Sequence, residues 1–338
     1  MFAHAEVQRM ATNRRTFFGS AAAGMAAAAW SGTPANAAFG PTVETPASTA
    51  AATKRYQNGR SPWPLALNSS TIRPVAVKDK VRVAAETGWD AIELWIDDLE
   101  RFEAEGGNLK ELAKEIRDRG LFVPNIIGLW NSMPEGREAF EASLKATRER
   151  MRRSADVGSR CVAAIPMPDR ANFDLGWAAE CYGRLLQIGR DDYGIIVAIE
   201  FVGFLKGVHR LGQAVAIALD ADDPDACLIA DTFHLYRGGS GFNGLKQIQG
   251  GLIADFHWND VPGNIARDQL GDEHRLDPGD GILPLGQVLR DLKAIGYSRC
   301  LSLELFKRSQ WEQAKREATA VAAEGRRKML ACLAAAGV

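Results

Sequence analysis

Four short apolar runs in the second half of the chain each end in an acidic or imidazole side chain. The runs are rich in Val, Ile, Leu and Ala, and enough chain for a crossover helix separates each from the next, which is the pattern of buried parallel strands. When parallel strands close into a barrel, their carboxyl ends meet on one face, and that face carries the chemistry. The sequence therefore predicts that the four terminal side chains converge. The runs are IIVAIE, ending at Glu200, CLIAD, ending at Asp231, LIADFH, ending at His257, and CLSLE, ending at Glu304.

Strand-like and helix-like segments alternate about eight times along the rest of the chain. Several helical segments end in glycine just before a strand, where a left-handed residue commonly stops a helix. Eight such units fit a single-domain (β/α)8 TIM barrel over residues 63–338. A doubly wound open sheet is the rival, but it requires a glycine-rich phosphate loop after an early strand, and the sequence has none. The predicted strands are Leu65–Asn68, Ala91–Trp95, Phe122–Ile127, Val162–Pro166, Ile196–Glu200, Leu228–Asp231, Ile253–His257 and Leu301–Glu304.

The composition limits the classes of partner. The chain has 338 residues and a formal net charge of -1, so it lacks the basic field that a nucleic-acid partner requires. Its five cysteines are odd in number and include no C-x-x-C, so we expect no disulfide framework. Assembly into a homo-oligomer is compatible with this composition and is left open.

The N-terminal segment differs from the rest of the chain. The pair Arg14-Arg15 lies in NRRTFF, a weak apolar run follows, and Ala35-Asn36-Ala37 forms an A-x-A cleavage pattern. In this order the features resemble a twin-arginine signal peptide over residues 1–37, which implies the twin-arginine export machinery as a partner and a periplasmic location. Residues 38–62 are predicted to be a linker. The alternative is an Ala-rich tail with a chance arginine pair, and the apolar run is too short for a lasting membrane span.

Each strand-end residue also has a purely structural explanation. Glu200 would pair with a loop cation, Asp231 would cap a helix, His257 would be a buried structural histidine, and Glu304 would pair with an arginine. All four nevertheless fall at the same end of consecutive strands, where a barrel mouth requires them. Three carboxylates and one imidazole form a ligand set for one divalent metal ion, with Mn²⁺ favoured and Mg²⁺, Co²⁺ or Zn²⁺ as alternatives.

Several segments resemble the xylose isomerase-like barrel family of sugar isomerases and epimerases, over the chain from Leu67 to its end. LNSSTIR resembles the first strand and loop of that family, AIELW the second strand, DTFHLYRGG the sixth-strand motif and LSLELF the eighth strand. The segment PGDG, which follows Arg275, resembles the loop before the last unit. The Arg, PGDG and Glu-Leu-Phe details are closest to the inosose isomerase-like branch.

This resemblance implies roles for individual residues. Glu200, Asp231, His257 and Glu304 would bind one divalent ion, and Glu200 and Glu304 would also exchange protons with the substrate. His234 would contact a substrate oxygen. Tagatose epimerase-like members carry a substrate-contacting arginine several residues beyond the ligand histidine, but here that stretch is Pro262-Gly263-Asn264. Either no residue of this chain makes that arginine's contact with substrate, or Arg267 or Arg275 makes it.

Further residues lie at predicted strand ends. Glu93 and Trp95 are at the end of the second strand and Trp130 follows the third. Glu93 and Trp130 are candidates for substrate binding at the mouth, and the aromatic side chains could pack against the apolar face of a sugar. Packing at the barrel rim is the alternative for the aromatic side chains.

We expect a metal-dependent isomerase or epimerase that acts on a sugar, keto-sugar or cyclitol through an enediolate. A dehydratase or lyase on an inosose-type or dehydroshikimate-type keto-polyol is the enzyme alternative, because the same enediolate can expel a β-hydroxyl. A non-catalytic sugar-binding barrel is the third candidate, although binding alone needs no paired Glu. An endonuclease IV-type nuclease would need a His-rich site, and the chain has only five histidines.

Overall fold

The computed structural model describes residues 56–338, in which eight parallel strands close into a barrel in chain order, β1 to β8. Each strand pairs with the next along the chain, and β8 pairs with β1. The predicted (β/α)8 TIM barrel is therefore confirmed. The strands are β1 (Leu65–Asn68), β2 (Ala91–Trp95), β3 (Ile126–Leu129), β4 (Cys161–Ala164), β5 (Ile196–Glu200), β6 (Cys227–Asp231), β7 (Ile253–Trp258) and β8 (Leu301–Leu303).

Helices follow the strands and cover the outside of the barrel. The last and longest helix is interrupted at Glu317, whose backbone is not helical. The helices are α1 (Val77–Glu86), α2 (Ile96–Ala104), α3 (Leu109–Asp118), α4 (Arg137–Asp156), α5 (Leu175–Ile188), α6 (Leu211–Asp220), α7 (Thr232–Arg237), α8 (Leu285–Ala294) and α9 (Arg308–Ala336).

The side chains of each strand alternate between two environments. On β5, Val197 and Ile199 belong to the large apolar core that the sheet shares with the helices. Ala198, between them, belongs to a smaller apolar cluster with Ile127 and Ile229 of other strands. Because Glu200 is two residues after Ala198, alternation delivers its carboxylate to the barrel interior at the end where the strand stops.

Three elements differ most from the sequence prediction, while β4, β6, β7 and β8 differ from it by one or two residues at their ends. The third strand is Ile126–Leu129 rather than Phe122–Ile127, and Phe122 and Val123 form only isolated bridges to their neighbours. Pro124 explains the shift, because proline has no N–H to donate to a ladder. Helices α2 and α7 were not predicted, since each begins at the residue directly after a strand and no turn signal separates the two elements.

The predicted signal peptide and most of the predicted linker lie outside the described residues. The last part of the predicted linker is packed against the barrel: Gln57 is buried, and its side-chain amide donates to the carbonyl of Gly88 and to the carboxylate of Asp90. Asp90 in turn accepts from the backbone N–H of Leu65, at the start of β1. Among residues 56–338, no helix has the length and apolarity that a membrane crossing needs.

Candidate metal centre and active site

The structure brings the four strand-end residues together at the carboxyl-terminal face of the barrel, here called the mouth. The Nδ1 atom of His257 lies 3.2 Å from a carboxylate oxygen of Glu200, 3.1 Å from one of Glu304 and 3.6 Å from one of Asp231. All four side chains are buried. With Arg275, they form what we call the mouth cluster.

Asp231 owes its position to two neighbouring elements. It ends β6, and its Oδ1 accepts from the backbone N–H of His234, 3.0 Å away, so it is also the N-cap of α7. The side-chain amide of Asn259 lies 3.3 Å from both carboxylate oxygens. The helix-capping role considered from the sequence is therefore real, and the same carboxylate also faces the mouth.

Arg275 supplies positive charge at the mouth. Its Nη1 lies 2.6 Å from Asp231 and 2.8 Å from Glu304, while its Nη2 lies 2.8 Å from Asp272. Its Nε donates to the same oxygen of Asp272 at 3.0 Å. The guanidinium also lies over the ring of Phe233, 4.7 Å from the ring centroid. Its nitrogens are thus all engaged with groups of this chain.

The loop that carries Arg275 is organised by Asp260, just after β7. The carboxylate of Asp260 accepts backbone N–H groups from Gly279, Gly281 and Leu283. The backbones of Asp260 and Leu276 also pair with each other. A Cβ atom at Gly281 would lie 2.1 Å from a backbone oxygen of the loop, so this position requires glycine.

The electrostatics of the mouth cluster show unbalanced negative charge. Burial, opposed by His257 and reinforced by Glu304 and Asp231, raises the pKa of Glu200 to about 7. Burial alone would lower the pKa of His257, but the surrounding carboxylates raise it well above its usual value. Burial alone would raise the pKa of Asp231, but Arg275 holds it well below its usual value. A bound cation would compensate the excess of buried carboxylates in the mouth cluster.

The residues present fit a divalent metal ion. Ligand atoms of Glu200, His257 and Glu304 all lie within 4.8 Å of one another, and Asp231 borders the same space. The Nδ1 atom of His257 is buried and has no hydrogen-bond partner within residues 56–338. A carboxylate and imidazole donor set of this kind suits Mn²⁺, Mg²⁺, Co²⁺ or Zn²⁺.

Glu93 lies elsewhere than the sequence predicted. Its side chain is fully buried, and its Oε1 lies 3.0 Å from the Nε2 of His257, on the far side of the imidazole from the mouth carboxylates. It does not line the cavity at the mouth. The physical reason is strand alternation: Trp95 ends β2, so the inward-facing Glu93, two residues earlier, is one layer deeper in the barrel. In the structure Glu93 contacts His257, and its predicted contact with substrate stays a prediction.

The other predicted substrate-binding residues do line the mouth cavity, which has a volume of about 170 Å³. Its polar lining includes His234 and Arg275 beside Glu200 and Glu304, and Trp130 belongs to its aromatic wall. Burial lowers the pKa of His234 to about 4. Its Nδ1 faces the backbone N–H of Gly203, and its Nε2 lies 3.2 Å from the Nη2 of Arg275.

Sequence reasoning considered Trp95 as an aromatic residue of the mouth but missed Asn68 as a residue of the site. The ring of Trp95 lies 5.9 Å from that of Trp130 at a tilt of 37° and meets Phe306 edge-on at 5.6 Å, which builds an apolar wall. Asn68 donates to both Glu93 and Glu304 and accepts from the indole N–H of Trp95. Asn68 is the last residue of β1, so the strand-end rule that selected Glu200 also identifies it once amides are considered.

Comparisons with known proteins agree with this architecture. Residues 81–330 match the family model described as xylose isomerase-like TIM barrel. The inosose isomerase of Bacillus velezensis is 26% identical over 263 residues, covering 76% of this chain and 92% of that protein. The inosose isomerase of Bacillus subtilis (strain 168) is 34% identical over 129 residues, covering 38% of this chain and 46% of that protein. A crystal structure of the IOLI protein with a bound zinc atom has a TM-score of 0.73 and 23% identity, covering 80% of this chain and 98% of that chain.

Proposed function

Since the chain belongs to the xylose isomerase-like TIM barrel family, we propose that it is a metal-dependent isomerase or epimerase of a neutral keto-sugar or cyclitol. The observation that carries the proposal is the convergence of Glu200, Asp231, His257 and Glu304 beside a small cavity. The inosose isomerase relatives support a cyclitol ketone of the inosose class as the first substrate to test.

The four converging residues would hold one divalent ion. When bound, the ion supplies positive charge that stabilises the oxyanion of an enediolate. The zinc atom in the IOLI structure supports the proposal that this chain binds a metal ion. Mn²⁺ is our preferred ion because carboxylates outnumber the imidazole.

Glu200 and Glu304 would transfer protons. They come from β5 and β8, which are not neighbours in the barrel, so their carboxylates approach the mouth from different sides. One carboxylate takes the proton from the carbon next to the substrate carbonyl, and the electron pair of that C–H bond moves into an enediolate. Return of a proton to the former carbonyl carbon, together with transfer of the hydroxyl proton of the neighbouring carbon to the former carbonyl oxygen, gives isomerisation. Return of the proton to the opposite face of the original carbon gives epimerisation. His234, which lines the cavity, would contact a substrate oxygen.

The charges at the cavity favour a neutral substrate. Arg275 is the only Lys or Arg among the residues that line it, and its nitrogens are already engaged by Asp231, Glu304 and Asp272. A phosphate or carboxylate on the substrate would therefore find no free Lys or Arg side chain in this lining to bind it. This argues for an inosose over a dehydroshikimate or a sugar phosphate. The wall of Trp95, Trp130 and Phe306 suits the apolar face of a polyol ring.

Incubation of Mn²⁺-loaded protein with inososes and neutral keto-sugars in D₂O tests the proposal. We expect a product of the substrate's own composition that carries solvent deuterium at carbon, measured by mass spectrometry and NMR. A product lighter by one water would instead identify a dehydratase. Saturable substrate binding without deuterium uptake would identify a non-catalytic sugar-binding barrel. His257→Ala serves as the inactive control.

We also propose export by the twin-arginine route, on the motif at Arg14-Arg15 and the cleavage pattern at Ala35-Asn36-Ala37. Replacement of both arginines by lysine should retain the folded protein in the cytoplasm. Cell fractionation measures this, and unchanged delivery to the periplasm would contradict the proposal.

A further inference from the structure

The two ring nitrogens of His257 face different sets of carboxylates. Nδ1 faces Glu200, Asp231 and Glu304 at the mouth, at 3.1 to 3.6 Å. Nε2 lies 3.0 Å from Oε1 of Glu93, with which it makes a hydrogen bond. A neutral imidazole carries one proton, and the partner of one nitrogen decides which nitrogen is left free to bind a metal.

Glu93 is held as an acceptor by donors from three other parts of the barrel. The side-chain amide of Asn125 donates to its Oε1 at 2.7 Å, and that of Asn68 donates to its Oε2 at 2.7 Å. The hydroxyl of Ser302 donates to the same Oε2. With His257, each oxygen of Glu93 therefore has two partners, which fills the acceptor capacity of an ionised carboxylate.

From this geometry we infer that Glu93 is a positioning residue, which keeps the proton of His257 on Nε2 and thereby presents the Nδ1 lone pair to the metal site. The inference rests on the metal site of the proposed function. It assigns Glu93 no contact with substrate. A carboxylate that can only accept requires a donor at Nε2, and the network of Asn68, Asn125 and Ser302 prevents its rotation away from the ring.

A second cation site is the competing explanation, because ligand atoms of Glu93, Asp255 and His257 also lie within 4.8 Å of one another. Asp255 has one buried carboxylate oxygen without a hydrogen-bond partner in the described part of the chain. However, two amide groups and a hydroxyl already donate to Glu93, and the Nε2 of His257 is directed to Glu93 as well. Neither Glu93 nor the Nε2 of His257 therefore has a free lone pair for a second ion, and the positioning role explains the contacts better.

The variant Glu93→Gln tests the inference. A glutamine at this position has an NH₂ group in place of one carboxylate oxygen. That NH₂ must face either Asn68 and Ser302 or Asn125 and His257. In both orientations it points at a side-chain amide that also donates, so at least one hydrogen bond is lost. We expect zinc affinity to fall about 10- to 100-fold, the range found for partners of metal-ligating histidines. Competition with a chromophoric chelator, at fixed pH, measures it. Unchanged affinity in the folded variant would overturn the inference.

Asp255→Asn is the matched control. It replaces a carboxylate by an amide in the same barrel interior, but Asp255 makes no hydrogen bond to His257. We expect its zinc affinity to stay within about threefold of wild type, since it leaves the partner of the imidazole in place. An equal loss of zinc affinity in Glu93→Gln and Asp255→Asn would show that any change in the barrel interior weakens zinc binding. That result would overturn the specific role of Glu93.

The wild-type protein supplies a second test that does not depend on the folding of a variant. Nitrogen-15 NMR of the zinc-loaded protein should show His257 with a protonated Nε2 and a zinc-bound Nδ1. Zinc bound through Nε2 would overturn the inference, and so would a wild-type protein that binds no zinc at this site. Failure of the proposed function has a different signature: zinc binding and the NMR pattern would persist without turnover of any keto-sugar or cyclitol.

Discussion

The protein buries charge in two places, and the two differ in balance. Outside the barrel, Lys80 of α1 is fully buried, and its Nζ lies 2.8 Å from both carboxylate oxygens of Asp98 on α2. The hydroxyl of Ser69 completes the shell of Asp98 at 2.8 Å. One cation meets one anion there. At the mouth, three strand-end carboxylates converge on one histidine and Arg275, and they adjoin a cavity.

The difference separates structural from functional charge. Two opposite charges that satisfy each other, like Lys80 and Asp98, need nothing from outside. The mouth cluster has more acidic groups than cations. Ionised Glu200 is costly there, because burial first, and then Glu304 and Asp231, raise its pKa to about 7. A bound cation would remove this cost, so imbalance beside a cavity points to a ligand in a way that burial alone does not.

Removal of a mouth ligand should give the largest effect. We expect His257→Ala and Asp231→Ala to abolish tight binding of Mn²⁺ or Zn²⁺ and with it the isomerase activity, because each removes a ligand that no neighbour can replace. Elemental analysis after dialysis measures the metal. The control is Lys80→Met, which should keep full metal content. Full occupancy in both mouth variants would place the metal elsewhere.

The next largest effect should come from the two glutamates. Glu200→Gln and Glu304→Gln keep the shape and one oxygen ligand but remove a base. Each should keep substantial metal affinity and lose about 10² to 10⁴-fold in kcat, the usual contribution of a positioned acid or base. The variant that lacks the proton-abstracting base should also stop deuterium exchange into the substrate. Activity near wild type in both metal-loaded variants would contradict the two-carboxylate mechanism.

Substitution of Lys80 or Asp98, here called the balanced pair, should change stability rather than activity. Lys80→Met leaves Asp98 buried and unpaired, so we expect a loss of about 3–5 kcal/mol in the free energy of unfolding. The double variant Lys80→Met with Asp98→Asn removes the orphan charge and keeps the hydrogen bond from Ser69, so a large part of the loss should return. Denaturant unfolding measures both. A double variant no more stable than Lys80→Met would show that packing, not charge, dominates this site.

Most of the barrel and its strand-end residues could be predicted from the sequence. The eight-stranded barrel was predictable because apolar runs alternate with amphipathic segments, and the strand-end residues were predictable because parallel strands stop on one face. The boundaries of β2 and β5 agree with the prediction to the residue. The strand β3 was misplaced because a proline inside an apolar run shifts the ladder, which a count of apolar residues does not register.

Residues whose roles depend on long-range contacts were harder to assign. The depth of Glu93 follows from strand alternation, so that signal was present in AIELW. Its contact with His257 was not predictable, since 164 residues separate the two side chains. The engagement of Arg275 by Asp231, Glu304 and Asp272 depends on the fold of a loop, and no local pattern encodes which donors of an arginine remain free.

Removal of the metal should lower the stability of the protein less than Lys80→Met does, and this effect should depend on the mouth cluster. An ion that binds only the folded state stabilises it by about 2.7 kcal/mol at a concentration 100 times its Kd. Added chelator should therefore lower the Tm of the wild-type protein and of Lys80→Met by similar amounts, because the balanced pair plays no part in metal binding. His257→Ala should show no chelator effect, and its Tm should match that of the metal-free wild type more closely than that of the loaded protein. A chelator-induced fall in Tm that persists in His257→Ala would show that the stabilising ion binds outside the mouth, and the excess of carboxylates there would then need another cation to explain it.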